Sequence, residues 1–144
     1  MPTANAQRPQ TKIKSYVLEY RAAEPQSAYS HFVAKLSVET DPSDVYEDIR
    51  SRFPGILVVD TRSPESYAKG HLPGAINLWH RTIDAVTAAQ LPKDKVLVTY
   101  CTGVGCNAST KGAAKLTELG FRVKEMTGGF EWWKQEGYPV ETEA

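Results

Sequence analysis

Two short, unbroken apolar runs constrain this chain more than anything else in it. Ile56-Leu57-Val58-Val59 ends in Asp60, and Lys95-Val96-Leu97-Val98-Thr99-Tyr100 runs straight into Cys101. Neither run alternates apolar with polar residues. A strand with one wet face alternates, whereas a strand covered on both faces of a parallel sheet reads as a continuous β-branched run. Such a sheet needs helices on both sides, and the segments between the runs supply them.

The helical segments announce themselves by period and caps. Tyr29, Phe32, Val33 and Leu36 recur at 3–4 residue spacing after Pro25, an apolar face that packs on its own domain or on a partner chain. Asp41 suits an N-cap, Pro42 the first turn and Asp44 the third position of a second helix, with Val45 and Ile49 facing inward and Pro54-Gly55 ending it. Ser63-Pro64-Glu65 opens a short helix stopped by Gly70, and Ala75–Leu78 reads as a short strand. Thr82–Gln90 reads as a helix carrying Ile83 and Val86, Asn107–Leu119 as a helix closed by Gly120, Phe121–Met126 as a strand and Phe130–Gln135 as a last short helix. This order predicts a three-layer α/β fold with a central, mostly parallel sheet flanked by helices. The expected organisation is a polar disordered tail over 1–14, an N-terminal helical extension over 15–37 and one α/β domain over 38–141.

Charge and cysteine content narrow the chemistry. Seventeen basic residues balance seventeen acidic ones, so no electrostatic case exists for nucleic acid or an anionic membrane. The two cysteines, Cys101 and Cys106, share one loop and do not form a framework of long-range staples. Two thiols are too few for a structural zinc site, so no metal is expected, and no cofactor. A reducing compartment is the simpler assumption. The polar N-terminus lacks an apolar leader core, and no run approaches the roughly 20 residues of a membrane helix. A cytoplasmic protein is expected.

The loop after the third strand concentrates the reactive groups. Ligands of parallel α/β sheets bind beyond the carboxyl ends of the strands, which is where Cys101 lies. Thr102, Gly103, Val104, Gly105, Cys106 and Asn107 follow it as a substrate-binding loop. Gly103 and Gly105 allow a tight curl with inward amides, and a helix begins near Asn107. Helix N-terminal amides and the helix dipole favour negative charge, which lowers a cysteine pKa and equally stabilises a persulfide anion. The plainer alternative is that Cys101 is a buried, inert cysteine.

Four segments resemble the rhodanese sulfurtransferase superfamily, in that family's order: V-V-D-T-R-S-P-E-S-Y (58–67), G-H-L-P-G-A-I-N-L (70–78), V-T-Y-C-T-G-V-G-C-N (98–107) and G-G-F-E-W-W (128–133). The likeness covers about residues 38 to 140. It implies a single-domain rhodanese-like fold and a Cys101 that takes up a sulfane sulfur as a persulfide and passes it on. The implied partners are a small sulfur donor (thiosulfate, or a persulfide or polysulfide) and a thiol or cyanide acceptor, with a sulfur-accepting protein as a further candidate. Asp60 and Arg62 match the family's D-x-R, and His71 and Gly74 its G-H-x-P-G-A; we read both as structural.

The departures from the family matter as much. Many members carry an arginine in the active loop, but Cys106 and Asn107 stand where it would be, which argues against thiosulfate. His80 and Arg81 follow the second strand and are candidate substrate-binding residues at the same edge; the plain alternative is a surface pair at a helix start. Phe130, Trp132 and Trp133 are read as packing, and His31 is given no role. Cys106 has three readings: a passive small residue, a resolving cysteine, or a second sulfur carrier. We read it as passive, because a tight loop does not readily bring two sulfurs into bonding geometry. A phosphatase or arsenate reductase needs a Cys-x5-Arg loop, which Asn107 breaks. A non-catalytic rhodanese-type binding module and a Cys101/Cys106 thiol–disulfide switch remain alternatives.

Overall fold

The computed structural model describes residues 13–143, and most of the expected 1–14 tail lies outside them. The chain divides into two compact units, Met1–Phe32 and Val33–Ala144. In the first, residues 13–24 are irregular, with a turn closed by Glu19 N–H donating to Tyr16 O, and helix α1 (Pro25–Val38) begins. No residue of α1 is buried among the described residues.

The second unit carries the sheet. Its strands are β1 (Glu39–Thr40), β2 (Ile56–Asp60), β3 (Ile76–Asn77), β4 (Val96–Tyr100) and β5 (Arg122–Met126), in the order β1-β5-β4-β2-β3, every pair parallel. The helices are α2 (Pro42–Arg50), α3 (Pro64–Lys69), α4 (Ala108–Glu118) and α5 (Gly129–Gln135). The two apolar runs become β2 and β4 and pair at the centre, Ile56 opposite Val96 through Asp60 opposite Tyr100. Strand pleating sends alternate residues to opposite faces. Val58, Val98, Tyr100 and Met126 therefore join one core with Val45, Phe130 and Trp133, while Val59 and Leu97 join another with Leu116, Phe121 and Ile83.

Caps and ends follow the sequence closely. The Asp41 carboxylate accepts from Asp44 N–H at 2.9 Å, Ser63 caps α3 through Ser66 N–H, and both helices open on a proline. Two elements differ from expectation. The expected helix over 82–90 is a 3-10 turn (His80–Thr82) followed by further turns, and Val86 is exposed. Its cause is local competition: Asp84 accepts from Val86 N–H and Thr87 N–H, and Thr87 Oγ1 donates to Thr82 O, so side chains take groups a helix would use. Ile83 is buried nonetheless. The edge strand β1 had no apolar run to reveal it; it is two residues long and pairs Thr40 with Met126.

A charged network binds β2 to β4. Asp60, fully buried at the end of β2, accepts from Arg62 N–H, Nε and Nη2 and from Tyr100 OH at 2.6 Å. Arg62 Nη2 also donates to Gly70 O, and its guanidinium lies 4.4 Å from the centre of the Phe130 ring. Tyr100 OH accepts from Leu72 N–H. Burial, then the Asp60 charge and its hydrogen bond, push the Tyr100 phenol well above its ordinary pKa, so it stays a donor. Burial opposes the Arg62 charge, but the bond to Asp60 and its charge outweigh burial and raise the pKa. The expected structural role of Asp60 and Arg62 matches these contacts.

Breaking this pair leaves a buried charge. Arg62→Met is expected to cost about 3–5 kcal/mol, with Asp60→Asn in the same chain recovering part of it. Urea denaturation of the two variants checks this; equal stability of Arg62→Met and the parent would contradict it.

Candidate active site

β4 delivers Cys101 to the carboxyl edge of the sheet, where its residue is only 3% exposed. The chain then doubles back, Cys106 N–H donating to Gly103 O at 3.1 Å, and enters α4. Asn107 makes no side-chain cap, so the first amides of α4 are not spent on it.

The loop is held from behind by α5. Phe130 N–H donates to Cys101 O and Glu131 N–H to Thr102 O, both at 2.8 Å. Thr61 secures the preceding carbonyl, its N–H and hydroxyl both donating to Tyr100 O. Carbonyls are thus turned to the scaffold, while the amides of Gly103, Val104 and Gly105 have no backbone acceptor among the described residues. The junction demands glycine at position 129, where φ is +66° and a Cβ would lie 2.6 Å from Cys101 O and 2.7 Å from Gly103 N.

A cavity of about 420 Å³ opens between this loop, the start of α4, the end of β5 and Gly128-Gly129. Of Cys101 and the expected substrate-binding loop, Cys101, Gly103, Val104, Gly105, Cys106 and Asn107 line it; Thr102 does not. His80 and Arg81 do not line it either. They form the 3-10 turn, with His80 O accepting from Lys115 Nζ and the Arg81 guanidinium 5.4 Å from the Trp79 ring centre. Burial and the charges of Lys111, Lys115 and Arg81 lower the His80 pKa, keeping the imidazole neutral over a wider range.

Cys106 departs from the passive role expected of it. Its sulfur is bonded to that of Cys101, the two Cα atoms lying 6.3 Å apart. The loop turns back between the two residues, Cys106 N–H donating to Gly103 O, and the sulfurs meet, which the spacing alone did not reveal. The bond also departs from the assumption that both cysteines are reduced.

Sequence reasoning missed Glu125. It lines the cavity from β5, and its Oε2 accepts from Ser109 Oγ and Thr110 Oγ1, each at 2.5 Å. The signal was present: a lone acidic residue next to last in a strand that ends at the ligand-binding edge. No basic side chain lines the cavity among the described residues. Phe130 and Trp133 are core, and Trp132 is a half-exposed rim residue. His71, read as structural, is buried, its Nδ1 bonded to Tyr67 O at 2.7 Å.

A cysteine loop at the carboxyl edge of a parallel sheet, followed by a helix N-terminus and beside a buried Asp-x-Arg, marks an α/β domain with its candidate site at the strand ends. A model of the rhodanese-like domain matches residues 41–136, about two thirds of the chain, and the chain belongs to that family. It is 39% identical over 90 residues to thiosulfate sulfurtransferase GlpE of Pseudomonas paraeruginosa, covering 61% of this chain and 77% of that one. It is 34% identical over 113 residues to HTH-type transcriptional regulator Rv0324 of Mycobacterium tuberculosis, covering 76% of this chain but only half of the regulator's length. The BH2092 protein of Bacillus halodurans, a solved structure, superposes with a TM-score of 0.82 at 47% identity, over 83% of this chain and 88% of that one.

Two variants check this geometry. Gly129→Ala is expected to displace the Cys101 loop and to lower stability by at least the 1–2 kcal/mol or so of a left-handed non-glycine residue; a denaturant midpoint equal to the parent's would contradict it. Glu125→Gln keeps an acceptor for Ser109 and Thr110 while removing a charge from the cavity. It is expected to tighten binding of a dianionic ligand such as thiosulfate by about 3–10-fold, since tenfold corresponds to about 1.4 kcal/mol. Titration calorimetry on the reduced proteins reads this directly, and unchanged affinity would remove Glu125 from the electrostatics of the site.

Proposed function

We propose that this chain is a rhodanese-type sulfurtransferase that moves a sulfane sulfur from a donor to a thiophilic acceptor through a persulfide on Cys101. The observation that carries the proposal is the buried Cys101 at the carboxyl end of β4, facing a cavity lined by a glycine-rich loop whose Gly103, Val104 and Gly105 amides have no backbone acceptor among the described residues. Such amides, with the start of α4, favour the thiolate and the persulfide anion alike. With the cysteines reduced, the Cys101 thiolate attacks the outer sulfur of the donor. The donor's S–S or S–SO3 bond breaks, and its electron pair leaves with the departing thiolate or sulfite. A thiol or cyanide then attacks the outer sulfur of the persulfide and returns the Cys101 thiolate.

The donor we favour is a persulfide or polysulfide rather than thiosulfate. The relatives named thiosulfate sulfurtransferase act, by their names, on thiosulfate. Among the described residues the cavity has Glu125 and no basic side chain to hold a sulfonate, and each missing charge-assisted bond is worth about 1.5–3 kcal/mol. The acceptor is a thiol, cyanide or a sulfur-accepting protein. A cytoplasmic setting fits a site that must be reduced to act. Among the described residues, no helix is long and apolar enough to cross a membrane. A second reading, a thiol–disulfide switch, is favoured by one specific observation, the Cys101–Cys106 bond.

Reduced protein incubated with a low-molecular-weight persulfide is expected to gain about 32 Da, one sulfur, at Cys101, seen transiently by rapid-quench intact mass. Cys101→Ser is expected to neither load nor transfer sulfur while keeping the fold, since the hydroxyl is nearly isosteric with the thiol. Near-parental transfer by Cys101→Ser would end the sulfurtransferase reading.

A further inference from the structure

We propose that Cys106 is a resolving nucleophile, which displaces the sulfur carried on Cys101 as hydrosulfide and so makes the loop a sulfide-releasing device. The proposal rests on the reading of Cys101 as the persulfide carrier and adds the fate of the sulfur.

The first support is reach. The two sulfurs are bonded although both residues belong to one seven-residue loop, 101–107, outside β4 and α4. The Cys106 sulfur therefore reaches the inner sulfur of a Cys101 persulfide with the sheet and helix in place. An attacking group held this way competes well against a free thiol, because its encounter entropy is already lost. The second support is electrostatic. Cys106 directly precedes Asn107, whose side chain leaves the N-terminal amides of α4 uncapped, a setting that favours its thiolate. The third is the character of the cavity. It holds Glu125 and no basic side chain among the described residues, so an expelled anion is repelled rather than retained.

The step balances without an outside oxidant. The Cys106 thiol passes its proton, through water, to the outer sulfur of the Cys101 persulfide anion, and the thiolate attacks Sγ of Cys101. The Cys101–outer sulfur bond breaks and its electron pair leaves with hydrosulfide. The sulfane sulfur is reduced to sulfide, and the two cysteine sulfurs are oxidised to the disulfide present in the structure. Resetting requires a small dithiol or two thiols, which become a disulfide in turn. Burial decides where that reductant attacks. Cys101 is buried, whereas Cys106 is partly exposed, so the mixed disulfide forms on Cys106 and Cys101 leaves as the free thiolate. Each reset thus regenerates the sulfur-accepting residue first.

The test is a single turnover. Reduced, desalted protein is mixed without oxygen with stoichiometric glutathione persulfide and no other thiol, then followed by intact mass and sulfide detection. The parent is expected to pass through the loaded form and finish about 2 Da below its reduced mass, with about one equivalent of sulfide per chain. Omitting the donor leaves the reduced mass. Cys106→Ala and Cys106→Ser are expected to stay about 32 Da heavy, to release less than about a tenth of the sulfide, and to discharge only when dithiothreitol is added. Parent protein that holds the added sulfur with both thiols otherwise intact overturns the proposal, as does sulfide release by the Cys106 variants at the parental rate. Should a variant fail to fold, the donor dependence of the disulfide in the parent still decides. Failure of every protein to gain sulfur is a distinct result, which removes the Cys101 carrier and this inference with it.

Discussion

A carboxylate with no access to solvent sits at the end of β2, and the carboxyl edge of the sheet is organised around it. An unpaired charge there would cost several kcal/mol, so Asp60 must be surrounded by donors. Arg62 supplies three and Tyr100 a fourth. Those donors come from different places and fasten different things. Arg62 reaches on to Gly70 O and lies against Phe130 of α5, and Tyr100 OH holds Leu72 N–H. Tyr100 is also the residue before Cys101. One buried charge therefore couples β2, β4, the 70–72 turn and α5 at the point where the reactive loop leaves the sheet.

The loop is arranged by a division of its backbone groups. α5 takes the carbonyls of Cys101 and Thr102, and Thr61 takes that of Tyr100. Glycine at 129 is what lets α5 come close enough to do so. The Gly103, Val104 and Gly105 amides have no backbone acceptor among the described residues. Among the described residues the same cavity has no basic side chain and contains Glu125. Cys101 and Cys106 are paired within the same loop.

Much of the fold was legible because its signals are local. Continuous β-branched runs marked the two central strands, and Asp41-Pro42 and Ser63-Pro64 marked helix starts through caps that depend only on near neighbours. Where local signals conflicted, the reading failed. The segment after Thr82 has a helical apolar spacing, yet the Asp84 and Thr87 side chains bond the backbone first. β1 is a strand only because β5 lies beside it. On α1 the period was right, but its apolar face is unburied among the described residues.

By itself, the sequence determined the class of sheet, the position of Cys101 at its carboxyl edge and the glycine-rich loop that follows, because period, caps and order along the chain carry that information. Only the tertiary structure decided which distant groups share the cavity. It brought Glu125 of β5 against Ser109 and Thr110, left His80 and Arg81 outside, and joined Cys106 to Cys101. Those outcomes depend on strand register and on the path of a loop in three dimensions, where a shift of a few ångströms separates a bond from a mere neighbour. Linear spacing does not encode distances of that size.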